Sequence, residues 1–175
     1  MEFMEKDMIQ KTLYMEAFNL VENKKIYQDE NLDIFYIKSD KKKEDSYNFL
    51  KELYKNVGEN FLIKRKKYHR PKNILSKYNY SITYVKGGSF IAFGKGNFAI
   101  DAEEIKAYDK NINKILKINP KNEKEFFEFF TRKEALIKLN NLMLTNILDD
   151  LKGYTKSIIH DKYMISIARE FEKQE

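Results

Sequence analysis

The sequence predicts an α+β protein made of two similar halves, each a helix packed on a small antiparallel sheet. The order strand, helix, hairpin occurs in the first half of the chain and recurs in the second. The Gly87-Gly88 pair, between two strand-like runs, is a strong hairpin signal. We therefore predict two halves in one compact unit, covering residues 1–96 and 97–175.

The composition predicts a folded, cytoplasmic protein. Of its 175 residues 42% are hydrophobic, with 13 Phe and 12 Tyr, which disordered chains lack. The net charge of +6 favours anionic partners, although a lysine-rich solvated surface is the simpler explanation. The absence of cysteine excludes disulfides, thiol nucleophiles and zinc thiolate sites. Charged residues throughout Met1–Leu20 argue against a signal peptide, and no apolar run is long enough for a membrane span.

The first half contains one clear strand and one clear helix. Residues 1–30 are interpreted as a helical extension. Leu32–Lys38 is rich in residues that suit a pleated surface, which predicts a strand. Apolar residues at helical spacing predict a helix over Asp45–Asn56, and Gly58 lies just past its end. A further strand is predicted to start at Phe61.

The middle of the chain combines a basic run with a predicted meander. Residues 64–72 are the most basic run, either a phosphate-contacting loop or an exposed strand and turn, and Pro71 disfavours central strand pairing. The meander has three predicted strands in sequence, joined by turns at glycines: Tyr80–Lys86, Ser89–Phe93 and Phe98–Asp101.

The second half is predicted to contain two helices and a closing hairpin. A first helix begins at Asn119-Pro120, because a cap followed by proline suits the first turn. Thr131 and Glu134 match a capping box, which predicts that a second helix opens there and runs to about Leu148. Two strands close the chain: Lys156–His160 and Lys162–Ala168.

The candidate chemistry lies at two places. Asp101 and Glu103 end an apolar strand and point to the same face, because side chains alternate along a strand. Two such carboxylates in a basic chain suggest Mg²⁺ with a phosphate ligand, whereas a solvated strand end is the structural alternative. Glu134 and Lys138 share one face of a helix. Alone, they fit an exposed ion pair worth about 0.3–0.5 kcal/mol.

Several separated pieces resemble one family, the 4'-phosphopantetheinyl transferases of the surfactin-synthetase-activating type. Residues 99–103, Ala-Ile-Asp-Ala-Glu, are similar to its Gly-Ile-Asp-x-Glu motif. Residues 130–138, Phe-Thr-Arg-Lys-Glu-Ala-Leu-Ile-Lys, resemble its Trp-Ser-x-Lys-Glu-Ala/Ser-x-x-Lys motif. Residues 69–71 and 81–85 occupy the places of Gly-Lys-Pro and Asn-Ile-Ser-His-Ser, with Tyr84 in place of the histidine.

The resemblance implies an enzyme, a Mg²⁺-dependent transferase of the holo-[acyl-carrier-protein] synthase type. It would move 4'-phosphopantetheine from coenzyme A to a serine of an acyl- or peptidyl-carrier protein and release 3',5'-ADP. The pathway would be fatty acid, polyketide or nonribosomal peptide biosynthesis. The resemblance also implies a cytoplasmic monomer with pseudo-two-fold halves, the site between them, and neither nucleic acid nor membrane as a partner.

The resemblance also implies residue roles. Asp101, Glu103 and Glu134 would hold Mg²⁺. Glu134 would be the base for the carrier serine, and Lys138 would steady the transferring phosphate or orient Glu134. The expected coenzyme A contacts lie on the basic run and the first meander strand: Arg70, Lys72, Thr83, Tyr84 and Lys86.

A non-enzyme remains the alternative. A catalytically weak or inactive relative would act as a carrier-protein or nucleic-acid binding module. It would use the basic run of residues 64–72, with Tyr68 as a stacking platform for bases. This alternative predicts salt-sensitive binding to single strands without Mg²⁺. Retention of the three carboxylates and Lys138 favours the transferase.

Overall fold

The computed structural model describes residues 22–64, 72–73 and 76–170, and it is an α+β structure with two main antiparallel sheets and a few helices. None of the helices in these ranges is long and apolar enough to cross a membrane. The strands are β1 Asn23–Gln28, β2 Leu32–Lys38, β3 Ile63–Lys64, β4 Lys72–Asn73, β5 Tyr78–Val85, β6 Gly88–Lys95, β7 Phe98–Glu104, β8 Tyr154–His160 and β9 Tyr163–Arg169. The helices are α1 Lys42–Asn56, α2 Asn111–Leu116 and α3 Glu123–Leu139, with a 3₁₀ segment at Leu144–Leu148.

The first sheet has the order β1-β2-β6-β5, and each neighbouring pair is antiparallel. The predicted strand Leu32–Lys38 is confirmed as β2, and the hairpin at Gly87-Gly88 is confirmed as the turn between β5 and β6. Helix α1 covers the outer face of this sheet. Its buried residues pack on side chains of β2, β5 and β6; the helix contributes Phe49, Leu50, Leu53 and Tyr54.

One glycine of the first sheet allows a close backbone approach. Gly94 lies opposite Leu32 in the β2–β6 ladder. A Cβ atom added at Gly94 would lie 2.0 Å from the carbonyl oxygen of Asn31. The same carbonyl accepts a hydrogen bond from the amide of Lys95 at 2.9 Å. Glycine at this position therefore lets the turn between β1 and β2 close against β6.

The second sheet has the order β7-β9-β8 and is also antiparallel. The closing strands are confirmed, with a turn at Asp161, which has a φ of 54°. Helix α3 covers the outer face of this sheet. Ala135, Leu136 and Leu139 on α3 pack on Ala99 of β7 and Ala168 of β9.

The main core lies between the two sheets. It combines inward-facing side chains of the first sheet with those of the second: Leu32, Ile34, Val85, Phe90, Ala92, Phe98, Ile100, Ala102, Tyr163, Ile165 and Ile167. The layers therefore run helix, sheet, sheet, helix. An ion pair of Arg169 Nη2 with Asp29 Oδ2, 2.5 Å long, joins the end of β9 to the turn after β1.

The predicted three-stranded meander is wrong at its third strand. Strand β7 pairs with β9 of the second sheet instead of extending the β5–β6 hairpin. The hydrophobic pattern predicted the strand itself correctly. Its pairing partner lies far along the chain, and a local pattern carries no information on such a partner.

The predicted capping box at Thr131 and the helix end near Leu148 are also wrong. One continuous helix, α3, begins after Asn122, whose side chain accepts a hydrogen bond from the amide of Glu125 at 2.9 Å. Thr131 lies in the middle of α3, where its hydroxyl donates to the carbonyl of Phe127 at 2.7 Å. A threonine that bonds one turn back in this way is compatible with a continuous helix.

The predicted helical extension and the basic run lie only partly within the described residues. Strand β1 occupies residues 23–28, where a helical extension was predicted, because these residues pair with β2. Residues 1–21 of that extension lie outside the described residues. In the basic run, Lys64 and Lys72 pair through their backbones in a short β3–β4 ladder, and residues 65–71 lie outside the described part.

Candidate active site

The candidate site forms around one buried carboxylate. Asp101 lies on β7, and its side chain is 4% exposed. Its Oδ1 atom accepts a hydrogen bond from Lys138 Nζ of α3 at 2.5 Å and from Thr83 Oγ1 of β5 at 3.2 Å. Two strands and a helix therefore meet at this oxygen.

Strand alternation explains why these carboxylates face the helix. Ile100 and Ala102 point into the core between the sheets. Asp101 and Glu103 alternate with these two residues along the strand, so they point to the other face of β7, which α3 covers. On α3, Glu134 and Lys138 are four residues apart and lie on one face of the helix. We call Asp101, Glu103, Glu134 and Lys138 the Asp101 cluster.

The Asp101 cluster lies at the seam where the two sheets meet. Strands β5 and β7 run side by side there, connected by side-chain hydroxyls. Ser81 Oγ accepts a hydrogen bond from the amide of Ile100 at 3.0 Å, and Thr83 contacts Asp101. Ser81 and Thr83 are themselves buried, so the seam is closed to bulk water below the carboxylate.

The carboxylates of the cluster influence one another. Burial and the negative charge of Asp101 raise the pKa of Glu134 to about 7, against the opposing effect of Lys138, and Glu103 raises it further. Burial and Asp101 also raise the pKa of Glu103, opposed by Lys106 and Lys138. Burial is the largest cause of both shifts, and the neighbouring carboxylates add to it.

The donor chemistry of the cluster fits a magnesium ion, although the side chains are not gathered around one. Within residues 22–64, 72–73 and 76–170, no three Asp, Glu or His side chains are positioned to hold a metal ion. The Lys138 ammonium group contacts Asp101 Oδ1 instead. Asp101 Oδ2 is buried and has no hydrogen-bond partner in the described structure. Carboxylate oxygens that lack a partner are suitable ligands for a hard divalent cation.

The predicted coenzyme contacts are brought together only in part. Thr83 contacts Asp101. Tyr84, the next residue, lies on the opposite face of β5 and is 46% exposed, so it is not part of the Asp101 cluster. Lys86 follows β5 and is exposed. Arg70 lies outside the described residues, and Lys72 is described only by its backbone in β4.

Sequence reasoning missed a chain of hydroxyls beside the site. Ser166 of β9 lies opposite Asp101 in the ladder. Its Oγ atom is 2.7 Å from Thr131 Oγ1 and 2.9 Å from Ser157 Oγ, and Ser157 accepts from Arg132 Nε at 2.9 Å. These bonds fix α3 on the sheet next to Asp101. The available signal was a serine between isoleucines 165 and 167 in an otherwise apolar strand.

Comparison with known proteins adds no relative. Neither the comparison with protein-family models nor that with curated proteins finds a match for this chain. An assignment of function therefore depends on the motifs and on the geometry of the Asp101 cluster.

Proposed function

We propose that the chain is a 4'-phosphopantetheinyl transferase that modifies a serine of an acyl- or peptidyl-carrier protein. The observation that carries the proposal is the 2.5 Å contact between Lys138 Nζ and Asp101 Oδ1. This contact joins the two sequence motifs that resemble the family, one at the end of β7 and one on α3. Asp101 and Lys138, one in each motif, are 37 residues apart along the chain, and the fold brings the two motifs together at this oxygen atom.

The proposal includes a pseudo-two-fold relation between halves at residues 1–96 and 97–175. The connection of the elements supports it. In the first half, β2, α1, β5 and β6 follow in sequence and the strands have the spatial order β2-β6-β5. In the second half, β7, α3, β8 and β9 follow in sequence with the order β7-β9-β8. Each long helix covers the outer face of its own sheet.

In the proposed enzyme, Asp101, Glu103 and Glu134 would hold Mg²⁺. The bound ion would act as a Lewis acid that neutralises charge on the coenzyme A pyrophosphate. The mutual influence of the three carboxylates and the unpartnered Oδ2 atom of Asp101 support this assignment. Thr83 keeps Asp101 in place by donating a hydrogen bond to Oδ1.

Glu134 is the proposed general base. The serine oxygen of the carrier attacks the β-phosphorus of coenzyme A, and the bond from this phosphorus to the bridging oxygen breaks. Phosphopantetheine stays on the serine, 3',5'-ADP leaves, and the serine proton passes to the Glu134 carboxylate. In the metal-free site burial and Asp101 raise the pKa of Glu134 to about 7, and the charge of a bound Mg²⁺ would favour the carboxylate, which is the form that accepts a proton.

Lys138 is the proposed contact to the transferring phosphate. Its ammonium group lies at the cluster and its side chain is 31% exposed, so it can reach a ligand from the seam. Among the other coenzyme candidates, Lys86 is exposed next to this seam, and Arg70 and Lys72 remain proposals from the motif. Tyr84 is the weakest candidate, because it faces away from Asp101.

The test is a mass measurement of the carrier protein. Wild-type protein is incubated with Mg²⁺, coenzyme A and apo carriers from fatty acid, polyketide and peptide synthesis. We expect one carrier to gain the mass of one phosphopantetheine group. The gain should disappear with EDTA and in Asp101→Asn and Glu134→Gln. Glu104→Gln is the matched control, because Glu104 pairs with Lys162 instead of joining the cluster.

Two results would contradict the proposal. One is no mass gain with any of the carriers. The other is a gain that is undiminished in Asp101→Ala. Salt-sensitive binding of a carrier or a single-stranded nucleic acid, independent of Mg²⁺ and without mass gain, would support the binding-module alternative.

A further inference from the structure

We propose that Lys138 is an internal counter-ion for Asp101, and that a divalent cation bound at Asp101 displaces this ammonium group from the carboxylate. The inference rests on the proposed function only in taking this cation to be the one that the transfer reaction uses. It adds an order of events: the cation enters, the lysine leaves Asp101, and the freed ammonium group becomes available to a phosphate ligand.

Burying the Asp101 carboxylate costs free energy. A carboxylate that is 4% exposed requires a positive partner or several hydrogen bonds. Lys138 supplies both, because its Nζ atom donates to Asp101 Oδ1 at 2.5 Å and to the carbonyl of Ile100 at 3.3 Å. The second contact is to backbone, so the ammonium group is held at the strand itself.

In the described structure Lys138 is the cation that contacts Asp101, whereas Lys106 acts on Glu103. Asp101, Glu103 and Glu134 interact with one another. No three carboxylates in the described ranges are gathered as a metal site. A divalent ion at Asp101 would bring a second positive charge next to the ammonium group. A cation on the unpartnered Oδ2 atom would lie close to the ammonium group on Oδ1, and the repulsion between the two positive charges would displace the lysine.

The Lys138 side chain can reach solvent after it leaves Asp101. Its side chain is 31% exposed, whereas that of Asp101 is 4% exposed. A lysine carries its charge on a flexible four-carbon stem. The ammonium group can therefore turn toward solvent without leaving a buried charge behind. This movement would place it on the open side of the cluster, where an anionic ligand would arrive.

The test measures the affinity for Mn²⁺, used alone as the probe, by calorimetry or by electron paramagnetic resonance. Lys138→Met should bind Mn²⁺ roughly tenfold to a hundredfold more tightly than wild type, because a charge-assisted hydrogen bond no longer has to be broken. Lys106→Met is the matched control. It removes an exposed charge near Glu103 and should tighten binding by less than about fivefold. Equal affinity in the two variants, weaker binding in Lys138→Met or no Mn²⁺ binding at all would overturn the inference.

A second measurement uses the wild-type protein and is independent of any folding defect in a variant. Lysines are acetylated with a small amine-reactive acetyl donor, with and without Mg²⁺, and each site is quantified by mass spectrometry. Lys138 should become several-fold more reactive with Mg²⁺, while the exposed Lys106 stays unchanged. Unchanged or lower reactivity of Lys138 would contradict displacement.

These outcomes separate the inference from the proposed function. Transfer of phosphopantetheine without any effect of Lys138 on Mn²⁺ affinity would overturn the counter-ion role alone. Tighter Mn²⁺ binding by Lys138→Met without transfer to any carrier would support the counter-ion role and count against the transferase.

Discussion

The buried charge of Glu134 should make the folded protein less stable as the pH rises. Burial and the charge of Asp101 raise the pKa of Glu134 from 4.5 to about 7, although Lys138 opposes the change. The folded state therefore binds this proton more tightly than the unfolded state does. Its contribution to stability is fully present below about pH 4.5 and is lost as the pH rises through 7. Glu134→Gln, which cannot ionise, should remove this loss.

The expected change in the free energy of unfolding follows from the pKa shift of Glu134. One pKa unit corresponds to about 1.4 kcal/mol, so the change from 4.5 to about 7 gives a ceiling of roughly 3 kcal/mol. Glu134 is only partly buried, and solvent screening reduces this figure to about 1–2 kcal/mol. We therefore expect the free energy of unfolding of Glu134→Gln to exceed that of wild type by about 1–2 kcal/mol at pH 8 and by only a few tenths of a kcal/mol at pH 5.

The assay is urea unfolding at pH 5 and pH 8, in EDTA to remove divalent ions. Glu104→Gln is the control with the opposite expectation. Hydrogen bonding from Lys162 lowers the pKa of Glu104, so its neutralisation should give no gain at pH 8. Two results would contradict the predicted pH dependence. One is that Glu134→Gln is no more stable than wild type at pH 8. The other is that its gain in the free energy of unfolding is the same at both pH values.

Three further predictions concern the metal and the packing. Millimolar Mg²⁺ should raise the melting temperature of wild type at pH 8 by a few degrees and leave that of Asp101→Asn unchanged; equal shifts would contradict the site. Gly94→Ala should lower the free energy of unfolding by about 2 kcal/mol or more, because its Cβ would meet the Asn31 carbonyl at 2.0 Å; a neutral effect would contradict this packing. Arg169→Met should cost about 1 kcal/mol, less at high salt, because it removes the ion pair with Asp29 between the sheets; urea unfolding at two salt concentrations tests this.

Local features of the fold could be predicted from the sequence. The composition of β2 and the glycines at the β5–β6 turn specify those elements without distant information. The pairing of β7 with β9 could not be predicted, because the two strands lie at opposite ends of the second half of the chain and their side chains meet only in the folded structure. The helix predicted to begin at Asn119-Pro120 and the helix predicted to open at Thr131 are one helix, α3, which begins a few residues later than predicted, after the cap Asn122.

The candidate site was predictable in its parts but not in its connection. Alternation placed Asp101 and Glu103 on one face of β7, and helical spacing placed Glu134 and Lys138 on one face of α3. Helical spacing also suggested a pair between Glu134 and Lys138, whereas the observed contact runs from Lys138 to Asp101. That choice depends on the distance between strand and helix, which is set by small residues such as Ala99 and Ala135.

The turn between β6 and β7 has a consequence for how the site assembles. Only Gly96 and Asn97 separate the two strands, so the chain crosses from one sheet to the other within two residues, and Asp101 follows on the same strand that leaves the turn. So short a tether gives the facing surfaces a high effective concentration, of the order of millimolar. Cleavage of the backbone at this turn would replace a unimolecular closure by a bimolecular one. The contact between the Thr83 hydroxyl and the Asp101 carboxylate would then depend on the protein concentration.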